Sequence, residues 1–290
     1  NIDGSFGSSM HRHNVAVTAL GGLAFLAGGN TPGRGRYGAQ VEKAVQFILD
    51  ATDPNGFINV PDPTVHGPMY GHGFATLFLA EVYGMTPRAD VRDKLELAVK
   101  LIINTQNKEG GWRYLPVRSE ADISVTVCQI MALRAARNCG IAVPKSTVDA
   151  CIKYVQECQN PDGGFKYQLL RGSPSVFPRS AAGLVALYSA GIYEGNAIER
   201  ALRYLENQVP QGDLLRHESH YFYGQYYAAQ AMWQAGGNYW NRWYPAIRDE
   251  LSRRQMPDGS WPDAISPEYG TAMACIILQL PNNYLPIFQR

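Results

Sequence analysis

Charge of one sign is the first thing this 290-residue chain lacks: 26 Lys and Arg stand against 25 Asp and Glu, a net charge of +1. With neither an excess nor a Lys/Arg run, nothing here would hold a polyanion, and nucleic acid is not an expected partner. Paired cysteines are also lacking. Cys128, Cys139, Cys151, Cys158 and Cys275 are an odd set without the spacing of a zinc ribbon or a thioredoxin-like site, so they read as small buried apolar groups, and no metal or cofactor is expected. The most apolar run, residues 15–29, falls short of the roughly 20 residues that cross a bilayer; it reads as a core helix, and membrane association is not indicated. Alternating strand patterns are missing too, which argues against a parallel sheet or a sandwich.

What the chain does have is a repeat. Gln106-Asn-Lys-Glu-Gly-Gly-Trp112, Gln159-Asn-Pro-Asp-Gly-Gly-Phe165 and Gln255-Met-Pro-Asp-Gly-Ser-Trp261 share Gln, a turn, Gly and an aromatic at equal offsets. Asp53-Pro-Asn-Gly-Phe57 and Asp3-Gly-Ser-Phe6 are shorter versions, and 208–213 (QVPQGD) is a copy without its aromatic. The aromatics at 6, 57, 112, 165 and 261 are spaced by 51, 55, 53 and 96 residues, the last being two units of 48. A period of this length signals stacked supersecondary units.

Each turn follows an amphipathic helical pattern, such as Val148, Ile152, Val155 and Cys158, and precedes a helix of small and apolar residues. These second helices are expected at 15–27, 70–83, 123–137, 179–190, 221–235 and 268–280, with Gly or Pro at the joints. Six helix pairs suit closure of an all-α chain into an (α/α)6 toroid, a single domain over 1–290 with an inner ring inside an amphipathic outer ring. The outer helix that should precede Asp3 to Phe6 is missing. Residues before Asn1 would supply it, or 282–290 would partly cover the gap.

These turns resemble the repeats shared by squalene-hopene cyclases, oxidosqualene cyclases and protein prenyltransferase β-subunits. The resemblance covers nearly the whole chain and implies the toroid, with Gln capping neighbouring helix ends and the aromatic packed beside it. Fold alone does not give function. The segment Asp122-Ile-Ser-Val-Thr126 is similar to the Asp-x-Asp-Asp-Thr acid segment of class II triterpene cyclases, but Ser124 stands at the proton donor's position and Val125 at the next carboxylate's. A hydroxyl cannot protonate an alkene as a carboxylic acid does, which argues against ordinary squalene cyclisation. Asp122 survives either as a proton donor or as an N-cap. The prenyltransferases' zinc-ligand pattern has only a chance echo, Asp149-Ala-Cys151 on an outer helix, and the Cys-Gly-Glu-Gln of complement-like thioester domains is absent.

The other polar candidates lie at the starts of the inner helices and converge on one mouth of the ring. Glu218 and His220 join Asp122 as candidate catalytic groups; His13, Tyr70, His72, Ser124, Arg179, His217, Tyr221, Tyr223 and Tyr269 are candidate substrate contacts. His217-Glu-Ser-His220 reads as a hydrogen-bonded cluster before a metal pair. The tyrosines suit carbocation stabilisation, sugar stacking or plain packing. Three functions therefore stand open: a terpene-cyclase-like enzyme taking an isoprenoid or other apolar ligand in a central cavity, a non-catalytic ring binding such a ligand or a protein, and a carbohydrate-active toroid.

Overall fold

The computed structural model describes residues 1–62, 67–210 and 220–289. Six helices are buried on almost every side because small residues let them pack closely: α1 (Val15–Ala27), α3 (Pro68–Met85), α5 (Ile123–Asn138), α7 (Phe177–Ser189), α9 (Tyr221–Ala235) and α11 (Pro267–Gln279). Each touches the next in that order, and α11 returns to α1, closing an inner ring. Five helices with one apolar face lie outside it: α2 (Gly38–Asp50), α4 (Ala89–Thr105), α6 (Lys145–Glu157), α8 (Asn196–Glu206) and α10 (Gly237–Arg254). Among the described residues there is no strand, and no helix is long and apolar enough to cross a membrane. The expected (α/α)6 toroid is the fold, and the inner-helix ends fall within two residues of those read from the repeat.

The turns hold the two rings together through bonds that recur. Gln106 Nε2 donates to Gly110 O and reaches Thr147 O in the first turn of α6, both at 2.9 Å; Gln159 does the same to Gly163 O and to Ala197 O in α8. The aromatic's N–H then finds a polar side chain on the inner helix. Phe6 donates to Thr18, Trp112 to Thr126, Phe165 to Ser180 and Trp261 to Thr271, all at 2.9–3.1 Å. In the second repeat the N–H of Ile58 donates to His72 Nδ1 at 3.2 Å. A buried N–H without a partner costs about 1–3 kcal/mol, so these bonds fix the register of turn on helix.

The glycines mark where turn meets outer helix. At Gly4, Gly56, Gly110 and Gly163, all with φ between +87° and +101°, a Cβ would lie 2.1–2.4 Å from a carbonyl oxygen of α2, α4, α6 or α8. Gly259, at φ +86°, meets only Gln255 Nε2 at 3.9 Å, because no outer helix follows its turn among the described residues. Residues 282–289 do not fill that place. Asn282 Nδ2 bonds Ala27 O at 3.2 Å, and the chain then crosses the end of the inner ring to pack on α5 and α9.

Every outer helix reverses the chain, so the inner helices run in one direction and their N-termini gather at one end. That end is the mouth; the other is closed by the C-terminal segment.

Candidate functional site

Asp122 caps α5. Its Oδ1 accepts from the N–H of Val125 at 2.9 Å, the N-cap geometry that satisfies a free first-turn donor. The backbone around it is bonded on both sides: Asp122 N to Trp112 O at 3.0 Å, and Ile123 N to Tyr167 O at 3.1 Å in the next repeat's connection. The side chain is fully buried. Burial lifts its pKa to about 6, against the opposing pull of the Val125 N–H, the Arg113 charge, the Ser124 N–H and the Tyr167 hydroxyl, which lies 3.4 Å from Oδ2.

Tyrosines surround it. The hydroxyls of Tyr114 and Tyr167 are hydrogen-bonded to each other, and the Tyr114 ring lies 6.1 Å from that of Tyr70. Arg113 stretches over both, its guanidinium 4.9 Å from the Tyr114 ring and 5.8 Å from that of Tyr167, with Nη1 buried and without a hydrogen-bond partner. From α9 the Tyr223 hydroxyl donates to Ser124 O at 2.9 Å, and Tyr227 pairs with Cys128 Sγ at 3.2 Å. Burial pushes the Tyr70, Tyr223 and Tyr227 hydroxyls well above their ordinary pKa and Cys128 up to about 12, so all stay neutral.

Below this layer the ring is filled. Phe74 on α3 meets Tyr226 on α9 edge-on at 6.1 Å between centroids, although these helices are the second and fifth of six and therefore opposite one another. Six residues separate Pro68 from Phe74 and five separate Tyr221 from Tyr226, so the floor lies about 8–9 Å below the helix starts.

Asp122, Ser124, Tyr70 and Tyr223 are thus brought together, and Tyr269 is buried in the first turn of α11, its hydroxyl held well above its ordinary pKa by burial and then by Asp263, Cys128 and Tyr226. Others of the expected set face elsewhere. His72 is fully buried on the outward side of α3 against Phe57 and the carbonyl of Ala98 in α4; burial holds it neutral with a pKa of about 4. It occupies the position of Thr126 and Ser180 in other repeats. Tyr221 points to α10, where Arg254 sits 3.9 Å over its ring. Arg179 binds the carbonyls of Phe165 and Pro174 and so pins its own loop. His13 bonds Asp3 at 2.6 Å on the exposed first connection, and His220 is the exposed, left-handed N-cap of α9, its charge bearing on Asp263. His217 and Glu218 lie outside the described residues, as do 211–213 of the aromatic-less repeat copy. Arg113, Tyr114 and Tyr167 are not among the residues that the sequence singles out. A signal for them was present: Trp112-Arg-Tyr114 and Phe165-Lys-Tyr167 share a basic residue and a tyrosine after the repeat aromatic.

Residues 8–212 match the model of the prenyltransferase alpha-alpha toroid domain. The chain belongs to this family. No curated protein sequence matches it. Solved structures similar to this toroid domain include an inactive variant of an α-1,6-mannanase of Salegentibacter in complex with α-1,6-mannotetrose, with a TM-score of 0.66 at 11% identity over 97% of this chain and 94% of that one. A cellobiose 2-epimerase of Bacillus thermoamylovorans gives 0.65 at 13% over 92% and 87%, and a protein from Actinoplanes 0.63 at 15% over 94% and 90%. At such identities the likeness is one of fold.

Proposed function

We propose that this toroid acts as a terpene-cyclase-like protein that takes one end of an isoprenoid, or a similarly apolar ligand, into the mouth of its inner ring, with Asp122 as proton donor. The observation that carries the reading is Asp122 itself: a carboxyl at the N-cap of an inner helix, fully buried against tyrosines, with burial lifting its pKa to about 6. A positive charge developing on an alkene there would face the rings of Tyr70, Tyr114 and Tyr223, each such contact contributing roughly 0.5–2 kcal/mol when desolvated. The acid is weaker than alkene protonation in a folded squalene demands, and the floor at Phe74 and Tyr226 leaves no depth for that chain. The reaction that suits both limits is isomerisation or retention of a short terminus.

A second reading has its own support. Arg113 Nη1 is buried without a partner beside the tyrosine hydroxyls, a combination that suits a sugar ring, and an α-1,6-mannanase and a cellobiose 2-epimerase share the fold. Glycosidic hydrolysis would need a second carboxyl opposite Asp122, for which Glu218 is the sequence's candidate.

The test is mass spectrometry of organic extracts after incubation with squalene and a series of polyprenyl diphosphates, using the wild type and Asp122→Asn. Asn also serves as an N-cap, so the fold is kept. An isomeric product that disappears in Asp122→Asn supports catalysis, and lipid retained unchanged supports binding alone. Neither product nor retention, with turnover of mannan or cellobiose instead, replaces this reading by the second.

A further inference from the structure

The end of the ring that carries the inner-helix N-termini differs from the rest of the surface in its exposed side chains. Each outer helix ends there, so the turns and the connections leading into the inner helices all lie on this end. In the connections Met10, Leu115, Val117, Leu170, Val176 and Ile265 are 37–80% exposed, and the turns add Ile2 and Met256. Elsewhere on the described surface only Tyr37 and Tyr284 are comparably exposed among the large apolar side chains, and both end in a hydroxyl. A single exposed aliphatic group is ordinary on a protein surface. A set confined to one end, while the outer helices show none, marks a surface that meets something apolar.

The arrangement of the set says what it meets. The four connections concerned lead into α1, α5, α7 and α11, the first, third, fourth and sixth helices of the ring. In a ring of six the first faces the fourth and the third faces the sixth, so the aliphatic groups stand on opposite sides of the mouth. A partner gripping one patch would reach a part of them; a flat apolar medium reaches all of them at once. Each group also has an exposed arginine close by in sequence: Arg12 after Met10, Arg118 after Val117, Arg171 after Leu170 and Arg253 before Met256. Aliphatic groups with long cationic side chains beside them suit the boundary between lipid chains and head groups. Glu120, Asp162 and Asp258 are exposed on the same end and offset much of the positive charge, so insertion of the aliphatic groups carries the contact and anionic lipid only strengthens it.

We propose that this end of the toroid docks face-on on a lipid bilayer, with Met10, Leu115, Val117 and Leu170 set among the lipid chains just below the head groups and the arginines among the head groups themselves. Since no described helix is long and apolar enough to cross a membrane, the attachment is to one leaflet. The sequence hides this surface because its residues lie singly in connections far apart along the chain. The docking face is made by side chains other than those around Asp122 and stands apart from the chemistry proposed there. Where both hold, an apolar ligand passes from the leaflet into the mouth without crossing water.

Flotation of the full chain with vesicles of phosphatidylcholine, alone and with added phosphatidylglycerol, tests the proposal. The protein is expected to float with both and more fully with the second. Leu115→Ser, Val117→Ser and Leu170→Ser combined should weaken vesicle binding about tenfold or more, at an unchanged melting temperature because all three side chains are exposed. Tyr284→Ser, at the far end, should bind as the wild type does. Absence of binding to either vesicle, or equal binding by the triple variant, overturns the proposal. Self-association of the wild type that the triple variant abolishes, without vesicle binding, also overturns it and assigns the face to a second copy of the chain. No outcome depends on turnover at Asp122, so the docking face and the reading of the mouth fail separately.

Discussion

Asp122 and Glu81 are both acids forced upward by burial, and the pH dependence of stability separates them. Glu81 goes from an ordinary 4.5 to about 8 on folding, with only the Ile287 N–H opposing, and the groups that sense its charge, Cys139 and Tyr226, are neutral. The folded state therefore holds a proton that the unfolded chain releases above 4.5. Its stabilisation is complete below that value and is lost as pH rises towards 8. Asp122 contributes the same slope, but only up to about 6. His72 acts in the other direction: neutral when folded, with a pKa of about 4 against 6.5, it costs stability as pH falls below 6.5. Between pH 6.5 and 8 Glu81 is thus the one of the three that still titrates. Urea denaturation should show Glu81→Gln flattening the decline in that window and gaining roughly 2 kcal/mol by pH 8, one and a half pH units at about 1.4 kcal/mol each. An unchanged slope would mean that Glu81 is already ionised. Asp122→Asn, by contrast, should alter the slope only below pH 6 and leave the α5 cap in place.

At the scale of the element, the turns show what each conserved-looking offset of the repeat does. Gly110 carries a left-handed φ of +101° and a Cβ there would press on Ala150 O at 2.1 Å, whereas Gly259 has φ +86° and open space around it. Gly110→Ala should therefore cost backbone strain and an outer-helix shift, about 2–5 kcal/mol together. Gly259→Ala should cost strain alone, about 1–2 kcal/mol. Thermal melts of the two variants measure the difference, and equal losses would remove the turn-to-helix contact as the reason for glycine. Thr126→Val tests the second bond of the turn, since it buries the Trp112 N–H unpaired for about 1–3 kcal/mol. Helix pattern, turn and period were legible in the residues because all three depend on local spacing. Which way a helix faces is not local. His72 looked like a mouth residue by its place at an inner-helix start, yet it is the second repeat's version of Thr126; only comparison by repeat phase, not by distance from the helix start, assigns it. Tyr114 and Tyr167 escaped for the converse reason: they sit in the connections and reach the mouth by crossing between repeats.

The whole molecule adds a constraint that no single repeat carries. Closure of the ring was readable from six units and a missing outer helix, but the depth of its interior depends on side chains meeting from opposite walls, Phe74 from α3 and Tyr226 from α9. Sequence periodicity says that both are core; it cannot say that they touch across the axis and divide the ring into a mouth with Asp122 and a far end with Glu81. That division decides the size of ligand. Phe74→Ala should open the floor, leaving a dry cavity walled by Tyr226 and its neighbours at a cost of about 3–5 kcal/mol. Such cavities bind small apolar molecules, so added ligand should recover part of the lost melting temperature. Under the isoprenoid reading the variant should also shift retained lipid towards longer chains, as measured by mass spectrometry of extracts. A variant that is destabilised as expected but retains lipid of unchanged length would place the ligand entirely above the floor, among the tyrosines of the mouth.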